Sequence, residues 1–370
     1  MMEENRFLLY GANGYTGQLI ARYAREYDLL PILAGRRKDV LESLSDQLQL
    51  PYEVIELNDS PKLCAVLNEV KVVLHAAGPF HFTAKPMVEA CLQSGCHYVD
   101  INGDISVFEL LKEYNEAAKQ SGITILPGAG FDVVPTDCTA ALLRKLLPDA
   151  TSLKLAFATV GGGLSHDTAT TMVTKLGEGG NVRRNGKIVK VPLGEHGFEA
   201  DFGERKLFVM SIPWGDVSTA YHTTGIPNIE TFAAVSPAVY RTLKLQPLFN
   251  WILRTRAVRN LLKKKIDSRA AGPTDEMRSQ AKSLIWGQVS NASGKTATVR
   301  MATPDGYTLT AHSSLLITQK LLKGNFAAGY QTPASAFGPD LVLEIPRVTR
   351  EIVSSPNLNM DPRPGATMSD

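Results

Sequence analysis

The amino-acid sequence predicts an α/β fold in two parts: a doubly wound parallel sheet, followed by a second α+β domain with a mixed or antiparallel sheet. Short apolar runs alternate with amphipathic helical patterns over residues 6–130, which is the pattern of βαβ units. The first apolar run ends at a turn that carries Gly11, Gly14 and Gly17. After Pro148 several segments alternate apolar and polar residues at every second position, and 370 residues are enough for two domains.

The first domain, residues 1–147, is predicted to contain six strands linked by five helices. The strands are expected at 7–10, 30–34, 53–57, 71–76, 97–100 and 123–126, and the helices at 16–27, 39–49, 61–69, 84–94 and 107–121. A further helix at 136–147 ends before Pro148. Since right-handed crossovers place such helices on both faces of the sheet, the domain should be of the Rossmann type.

The second domain, residues 148–326, is predicted to contain strands at 153–160, 187–191, 206–212, 296–302 and 307–314. The last two should form a hairpin through Pro304-Asp305-Gly306, which are turn residues. The glycine-rich segment 175–186 is expected to be a mobile loop or the edge of a lid. A helix within 327–353, beginning near Pro333, should pack back on the first domain, and 354–370 should form a flexible tail.

Charge and cysteine content narrow the classes of partner. The formal net charge of +2 provides no overall field that would attract nucleic acid. The four cysteines lack metal-site spacing, so we expect reduced core thiols and no metal ion. The first residues show no signal-peptide pattern, and no stretch reaches the ~18 apolar residues of a membrane-spanning helix. These features favour a cytoplasmic protein.

The turn Gly11-Ala-Asn-Gly-Tyr-Thr-Gly17 predicts a dinucleotide site, because it lies between a strand and an amphipathic helix. Gly11 permits the tight turn, Gly14 lets a pyrophosphate approach the backbone, and Gly17 allows close packing of the helix. The helix start directs unpaired N–H groups at the phosphates. The other predicted cofactor contacts in this turn are Ala12, Asn13, Tyr15 and Thr16.

The residues that follow the second strand indicate which cofactor is bound. An acidic residue at this position would contact the ribose 2′-hydroxyl of NAD, but the sequence here is Gly35-Arg36-Arg37. A guanidinium can bind a 2′-phosphate with paired hydrogen bonds and stack on the adenine. The sequence therefore predicts NADP(H), with Arg36 as the main contact and Arg37 as the second.

Two further strand ends should face the same crevice. The run Ala76-Ala77-Gly78-Pro79-Phe80 follows the fourth strand and should pass under the nicotinamide ribose. Asn58, after the third strand, should lie near the adenine. His75 and His81 flank these segments, and we interpret them as core or rim residues.

Candidates for proton transfer or substrate orientation must lie beyond the later strands. Tyr98 and Asp100 belong to the fifth strand, and Asp132 follows the sixth, where a turn or capping role is an equal alternative. In the second domain, a glycine-rich run precedes Ser165 and His166, and His166 is the predicted general acid.

With these motifs in place, the chain resembles the saccharopine dehydrogenase-like NADP-binding oxidoreductases, and most closely the branch of trans-acting enoyl reductases. Five blocks carry the resemblance, at 11–17, 33–37, 97–104, 127–137 and 212–216 with 221–229. The most specific is Gly130-Phe-Asp-Val-Val-Pro-Thr-Asp137. The resemblance implies a Rossmann domain, a second α/β domain whose sheet often mediates dimerisation, and hence a homodimer. Asp104 and Asn102 depart from the usual family pattern, which bears on the substrate rather than the cofactor.

A basic segment, residues 231–266, contains no acidic residue and several apolar ones. It could be a surface helix over the substrate pocket, which we favour, or contact a peripheral membrane or an acyl carrier. We expect an enzyme that reduces a C=C (enoyl) or C=N (imine) bond of a small-molecule or acyl-type substrate with NADPH. The alternative is an NADP(H)-binding regulatory or membrane-peripheral protein without robust catalysis.

Overall fold

The first sheet of the computed structural model, which describes residues 5–161, 179–244, 255 and 272–356, is parallel throughout. Its strands are β1 Arg6–Tyr10, β2 Leu30–Gly35, β3 Tyr52–Val54, β4 Val72–His75, β5 His97–Asp100, β6 Thr124–Leu126 and, much later in the chain, β15 Gly329–Tyr330. The order is β15-β6-β5-β4-β1-β2-β3. This is the Rossmann strand order with one added edge strand, so the predicted fold class is confirmed.

Helices cover both faces of this sheet. They are α1 Tyr15–Tyr23, α2 Lys38–Leu48, α3 Ser60–Leu67, α4 Phe80–Ser94, α5 Ile105–Lys112, α6 Asn115–Gln120 and α7 Val134–Leu146. Leu8 and Val73 lie in one apolar cluster with residues of α3 and α4, whereas Leu9 and Leu74 lie in another with residues of α1 and α2. The single helix predicted at 107–121 is divided into α5 and α6.

The second sheet is mixed, as predicted. Its strands are β7 Ser152–Val160, β8 Gly180–Arg184, β9 Lys187–Val191, β10 Gly197–Asp201, β11 Lys206–Ser211, β12 Asn228–Ala234, β13 Lys282–Ser290, β14 Thr296–Pro304 and β16 Thr349–Ser354. The remaining described α-helices are α8 Asp216–Thr224, α9 Pro237–Lys244, α10 Asp275–Gln280, α11 Gly306–Leu322 and α12 Pro333–Phe337. Residues of α7 and α8 pack on one face of the sheet around Leu155 and Val289.

The predicted hairpin through residues 304–306 is wrong, because residues 306–322 form α11. The Asp305 carboxylate accepts hydrogen bonds from the N–H groups of Tyr307 (3.0 Å) and Thr308 (3.2 Å), so Asp305 caps a helix instead of forming a turn. The hydroxyl of Thr318 donates to the Ser314 carbonyl 2.8 Å away, which satisfies it inside a buried helix. The hairpin partner of β14 is β13.

Helix α11 belongs by sequence to the predicted second domain, but it packs on the first sheet. This helix contacts α1, β4 and β5 and also touches β14, so it lies between the two sheets and covers the first. Of the helix predicted within 327–353, only Pro333–Phe337 is α-helical, and Thr349–Ser354 pairs with β14. The expected loop at 175–186 contains strand β8, and residues 162–178 lie outside the described part. Most of the predicted tail, 357–370, also lies outside it.

The described segments contain no helix that is both long enough and apolar enough to cross a bilayer. The four cysteines are free thiols, of which Cys91, Cys96 and Cys138 are buried and Cys64 is partly exposed.

Candidate cofactor site

The glycine turn after β1 lies where the strand order changes direction. Strand β1 has β2 on one side and β4 on the other, and a crevice opens beyond the carboxyl ends of parallel strands at such a point. Gly11 has φ +92°, and a Cβ there would lie 2.6 Å from the backbone nitrogen of Ala77. Position 11 therefore requires glycine for its backbone conformation and for its closeness to the end of β4.

The other two glycines serve helix packing and an open helix start. A Cβ on Gly17 would overlap the carbonyl oxygen of Gly11, so α1 can pack this closely only with glycine. Gly14 is the N-cap of α1, and no side chain caps the helix. The first N–H groups of α1 are thus left for a ligand, and this geometry fits a pyrophosphate.

The remaining residues of the turn differ in exposure. Ala12 is buried, and its N–H donates to a β2 carbonyl. The Asn13 side chain lies against Gly35, where a Cβ would be 2.6 Å from the Asn13 Oδ1. Thr16 is partly buried at the start of α1, and the Tyr15 hydroxyl bonds to the second domain.

Arg36 and Arg37 are both exposed beyond the carboxyl end of β2. Neither guanidinium forms a hydrogen bond or ion pair with the described residues, so both are available to a phosphate. Burial raises the pKa of the Tyr10 phenol to about 12, and the nearby positive charge of Arg36 opposes that rise. Asn58 is exposed in the turn after β3, at the same edge of the sheet. The site therefore has the charge and the open geometry that a 2′-phosphate needs.

The run after β4 borders the crevice. Ala76, Ala77 and Phe80 are partly buried, whereas Gly78 and Pro79 are exposed. The Thr83 hydroxyl donates to the Ala77 carbonyl (2.8 Å) and lies 2.9 Å from the His75 Nε2, which fixes the end of the strand. Burial lowers the pKa of His75 to about 3, so His75 is a neutral core residue, as interpreted from the sequence.

Tyr98 and Asp100, predicted as catalytic, are buried and hydrogen-bonded to each other. The Asp100 carboxylate accepts hydrogen bonds from the Tyr98 hydroxyl (2.6 Å), the Asn102 backbone and side chain (2.7–2.9 Å) and the Gly128 N–H (2.9 Å). Burial raises the pKa of Asp100, and these donors oppose the rise. Both side chains are buried in the described structure and fix the ends of β5 and β6, and a catalytic role for them stays a prediction. The pattern alone did not distinguish the two roles.

Asp132 lies at the edge of the crevice, where three of the family blocks meet. A Cβ on Gly103 would overlap its carboxylate, so Asp132 packs against the segment after β5. The indole of Trp214 donates to the Asp132 carbonyl at 2.9 Å. Phe157 contacts Trp214 (ring centroids 4.6 Å apart) and Phe131 (5.8 Å), which gives a partly exposed aromatic wall of Phe131, Phe157 and Trp214.

His166 and Asp104 are two further residues that the sequence analysis singled out. His166 lies outside the described residues, so its role as general acid stays a prediction. Asp104 accepts a hydrogen bond from the Ser106 N–H (2.9 Å) and caps α5, which explains a short acidic residue at this position.

Two buried acids at the ends of family blocks, Asp137 and Asp216, were not predicted as site residues from the sequence. Asp137 accepts from the Thr223 hydroxyl (2.5 Å) and the Ala334 N–H (2.8 Å), and burial raises its pKa to about 6. Both carboxylate oxygens of Asp216 are buried without a hydrogen-bond partner in the described structure. Burial raises the pKa of Asp216 most, and the charges of Asp137 and Asp132 add to the rise. The Thr136 hydroxyl opposes the rise in the pKa of Asp216 only in part, because this hydroxyl donates to the Val133 carbonyl.

No three His, Cys, Asp or Glu side chains in the described ranges are arranged to hold a metal ion. The fold and the site define a dinucleotide-binding protein of the Rossmann class, with a second, mixed-sheet domain beside the crevice. Residues 7–126 match the saccharopine dehydrogenase NADP binding domain. This match confirms the resemblance seen in the sequence and the NADP(H) cofactor expected from it.

Relatives extend the similarity beyond this domain. The mouse (Mus musculus) saccharopine dehydrogenase-like oxidoreductase is 28% identical over 202 residues, covering 48% of this chain and 47% of the relative. The trans-acting enoyl reductase of Mycobacterium ulcerans is 28% identical over 157 residues, covering 40% and 38%. The chain thus spans less than half the length of these relatives.

The similarity to solved structures includes one that covers nearly the whole chain. Saccharopine dehydrogenase (L-Glu forming) from Saccharomyces cerevisiae has a TM-score of 0.65 and 13% identity, with 95% of this chain and 100% of that chain covered. At this identity the match shows a shared α/β fold.

Proposed function

We propose that the protein is an NADP(H)-dependent oxidoreductase that reduces a C=C (enoyl) or C=N (imine) bond of a small-molecule or acyl-type substrate. The aromatic wall carries this proposal. It lies beyond the carboxyl end of β6, and in a Rossmann sheet the nicotinamide half of a dinucleotide extends toward that end. When bound, NADPH supplies the hydride.

In this proposal the residues of the site have three roles: binding the pyrophosphate, recognising the 2′-phosphate and covering the substrate. The glycine turn binds the pyrophosphate, and Arg36 recognises the 2′-phosphate. The wall of Phe131, Phe157 and Trp214 offers apolar surface to the substrate and excludes water from the reacting bond. These tasks support reduction of a polarised double bond held in an apolar pocket.

Asp132 is the proton donor that we propose among the described residues. It lies beside the aromatic wall, and its backbone carbonyl is fixed by the Trp214 indole. In its protonated form the carboxyl group can donate to the carbon or nitrogen next to the atom that accepts hydride. His166 is the alternative donor that the sequence predicts.

Steady-state oxidation of NADPH against panels of enoyl thioesters and imines tests the proposal. We expect turnover on one of the two classes, with NADPH preferred over NADH. Asp132→Asn should lower kcat while leaving the Kd of NADPH unchanged, and Asp46→Asn, on the exposed side of α2, serves as the matched control. Silence of the wild-type protein across both panels would contradict the proposed activity.

A second candidate is an NADP(H)-binding regulatory or membrane-peripheral protein. The hydrogen bond between the buried Tyr98 and Asp100 favours it, because it occupies two candidate catalytic groups. Helix α9 also favours it, since no residue of α9 is buried and Val239 is 47% exposed. Residues 245–266 of the basic segment, apart from Thr255, lie outside the described residues. Flotation with anionic liposomes, with and without residues 231–266, separates the candidates: co-flotation that needs the segment supports the second.

The homodimer and the cytoplasmic location stay part of the proposal. Sedimentation analysis of the purified protein would test the first, and cell fractionation would test the second.

A further inference from the structure

The phosphate-binding turn is tied to the second domain through Tyr15. The Tyr15 hydroxyl donates to the Pro273 carbonyl at 2.5 Å and accepts from the Arg278 Nη1 at 2.6 Å. The backbone of Gly272 lies on the Tyr15 ring, because a Cβ there would be 2.6 Å from ring atoms. Tyr307 contacts the same ring edge-on, with centroids 5.2 Å apart. The first helical residue of α1 is thus held by segment 272–278.

Arg278 brings a buried positive charge to this contact. Its side chain is only 6% exposed, and its acidic partner within the described ranges is Asp275 (2.6 Å), which is 79% exposed. The Arg278 Nε has no hydrogen-bond partner among the described residues. Asp275 and the Tyr15 hydroxyl favour the charge of Arg278, but water screens the exposed Asp275 carboxylate and weakens its attraction.

A buried cation that is weakly compensated gains most from a second anion. The uncapped start of α1, directly beside Tyr15, is where the pyrophosphate would lie. The phosphate charge and the guanidinium would then lie at one helix end, shielded from solvent by Gly272 and Tyr307. Their attraction is stronger there than between exposed groups.

We propose that Arg278 is a positioning residue for the cofactor pyrophosphate, supplied by the second domain and acting through Tyr15. Arg278 fixes the Tyr15 side chain beside the phosphate-binding turn, and its charge favours an occupied site. Cofactor binding therefore stabilises the contact between the two domains. The inference deepens the proposed function at the same site, but it rests on nucleotide binding and not on turnover.

Calorimetric titration of the full chain with three ligands tests this role. NADPH and NADH carry the pyrophosphate, whereas adenosine 2′-monophosphate reaches only Arg36 and Arg37. Arg278→Gln should raise the Kd of NADPH and NADH by the same factor, about tenfold, and leave adenosine 2′-monophosphate unchanged. Arg278→Lys, which keeps the charge, should recover part of the loss. Arg205→Gln, at an exposed arginine of the second domain, is the matched control and should change none of the three.

Two results would overturn the proposal. One is an unchanged Kd for both dinucleotides in Arg278→Gln. The other is an equal loss for all three ligands, which indicates damage to the domain as a whole. If Arg278→Gln does not fold, Tyr15→Phe is the deciding variant, because it removes both hydrogen bonds of the hydroxyl group and keeps the ring. Selective loss of dinucleotide binding in Tyr15→Phe supports the role of Arg278, and wild-type binding refutes it. A protein that turns over no substrate can still show these differences, so failure of the proposed activity is distinguishable.

Discussion

Replacing Asp137 with asparagine should change how the stability of the protein depends on pH. The carboxyl group is fully buried between α7, α8 and the start of α12, with Thr223 and Ala334 as donors. Asparagine retains an oxygen for the Ala334 N–H. Its amide can donate to the Thr223 hydroxyl, which then donates to Thr332, 2.5 Å away. The substitution therefore removes the titration while keeping the contacts.

The expected magnitude follows from the pKa of Asp137, which burial raises from 3.8 to about 6. The folded protein holds this proton to higher pH than the unfolded chain. The stabilising contribution is thus fully present below about pH 4 and is lost as the pH rises through 6. A shift of roughly two units corresponds to about 3 kcal/mol, of which about 2 kcal/mol falls between pH 4.5 and 7.5. The asparagine variant lacks this loss.

Urea unfolding of both proteins at several pH values between 4.5 and 7.5 measures the effect. The free energy of unfolding of Asp137→Asn, relative to wild type, should increase by about 2 kcal/mol across this range. Asp46→Asn, at an exposed position of α2, should show no such trend. A difference that stays constant with pH, or that falls, would refute the assignment of a buried, proton-retaining carboxyl group.

Substitutions in three further places test the cofactor site and the fold. The double change Arg36→Ala, Arg37→Ala should raise the Kd of NADPH roughly 10- to 100-fold by removing charge-assisted hydrogen bonds, with NADH unaffected in calorimetry; an equal loss for both would argue against 2′-phosphate recognition. Gly17→Ala should destabilise the protein by ~1–3 kcal/mol in urea unfolding, because the methyl group overlaps the Gly11 carbonyl; wild-type stability would contradict that packing. Asp305→Ala should cost ~1–2 kcal/mol through loss of the α11 cap, whereas Asp305→Asn should stay near wild type in thermal melts; equal melting of the two variants would exclude capping.

The parts of the fold that the sequence predicted are those set by local patterns. The turn at Gly11, Gly14 and Gly17 combines a strand, a spacing and a helix within a few residues, so neighbouring positions suffice to identify it. The same holds for Arg36, because its position after β2 is fixed by counting from the glycines. The run of βαβ units is likewise a local alternation.

The parts that failed depend on contacts between distant residues. Residues 307–314 contain threonines and alternating apolar positions that favour a strand, but burial of α11 between two sheets overrides that preference. Asp100 ends a parallel strand, and only the structure shows that its carboxylate accepts hydrogen bonds from Asn102 and Gly128. Asp137 and Asp216 belong to the blocks at 127–137 and 212–216. The spacing of these blocks does not show that the two carboxyl groups lie close together, one on α7 and one on α8.

The late position of β15 governs the order in which the protein can mature during synthesis. Residues 329–330 complete the first sheet, and α11, which covers one of its faces, begins only at Gly306. Until both have left the ribosome, β6 keeps an unpaired edge and the apolar face around Leu9 and Leu74 lacks part of its cover. The nascent nucleotide-binding half therefore needs shielding, by a chaperone or by the emerging second half, and the two halves reach the native state together.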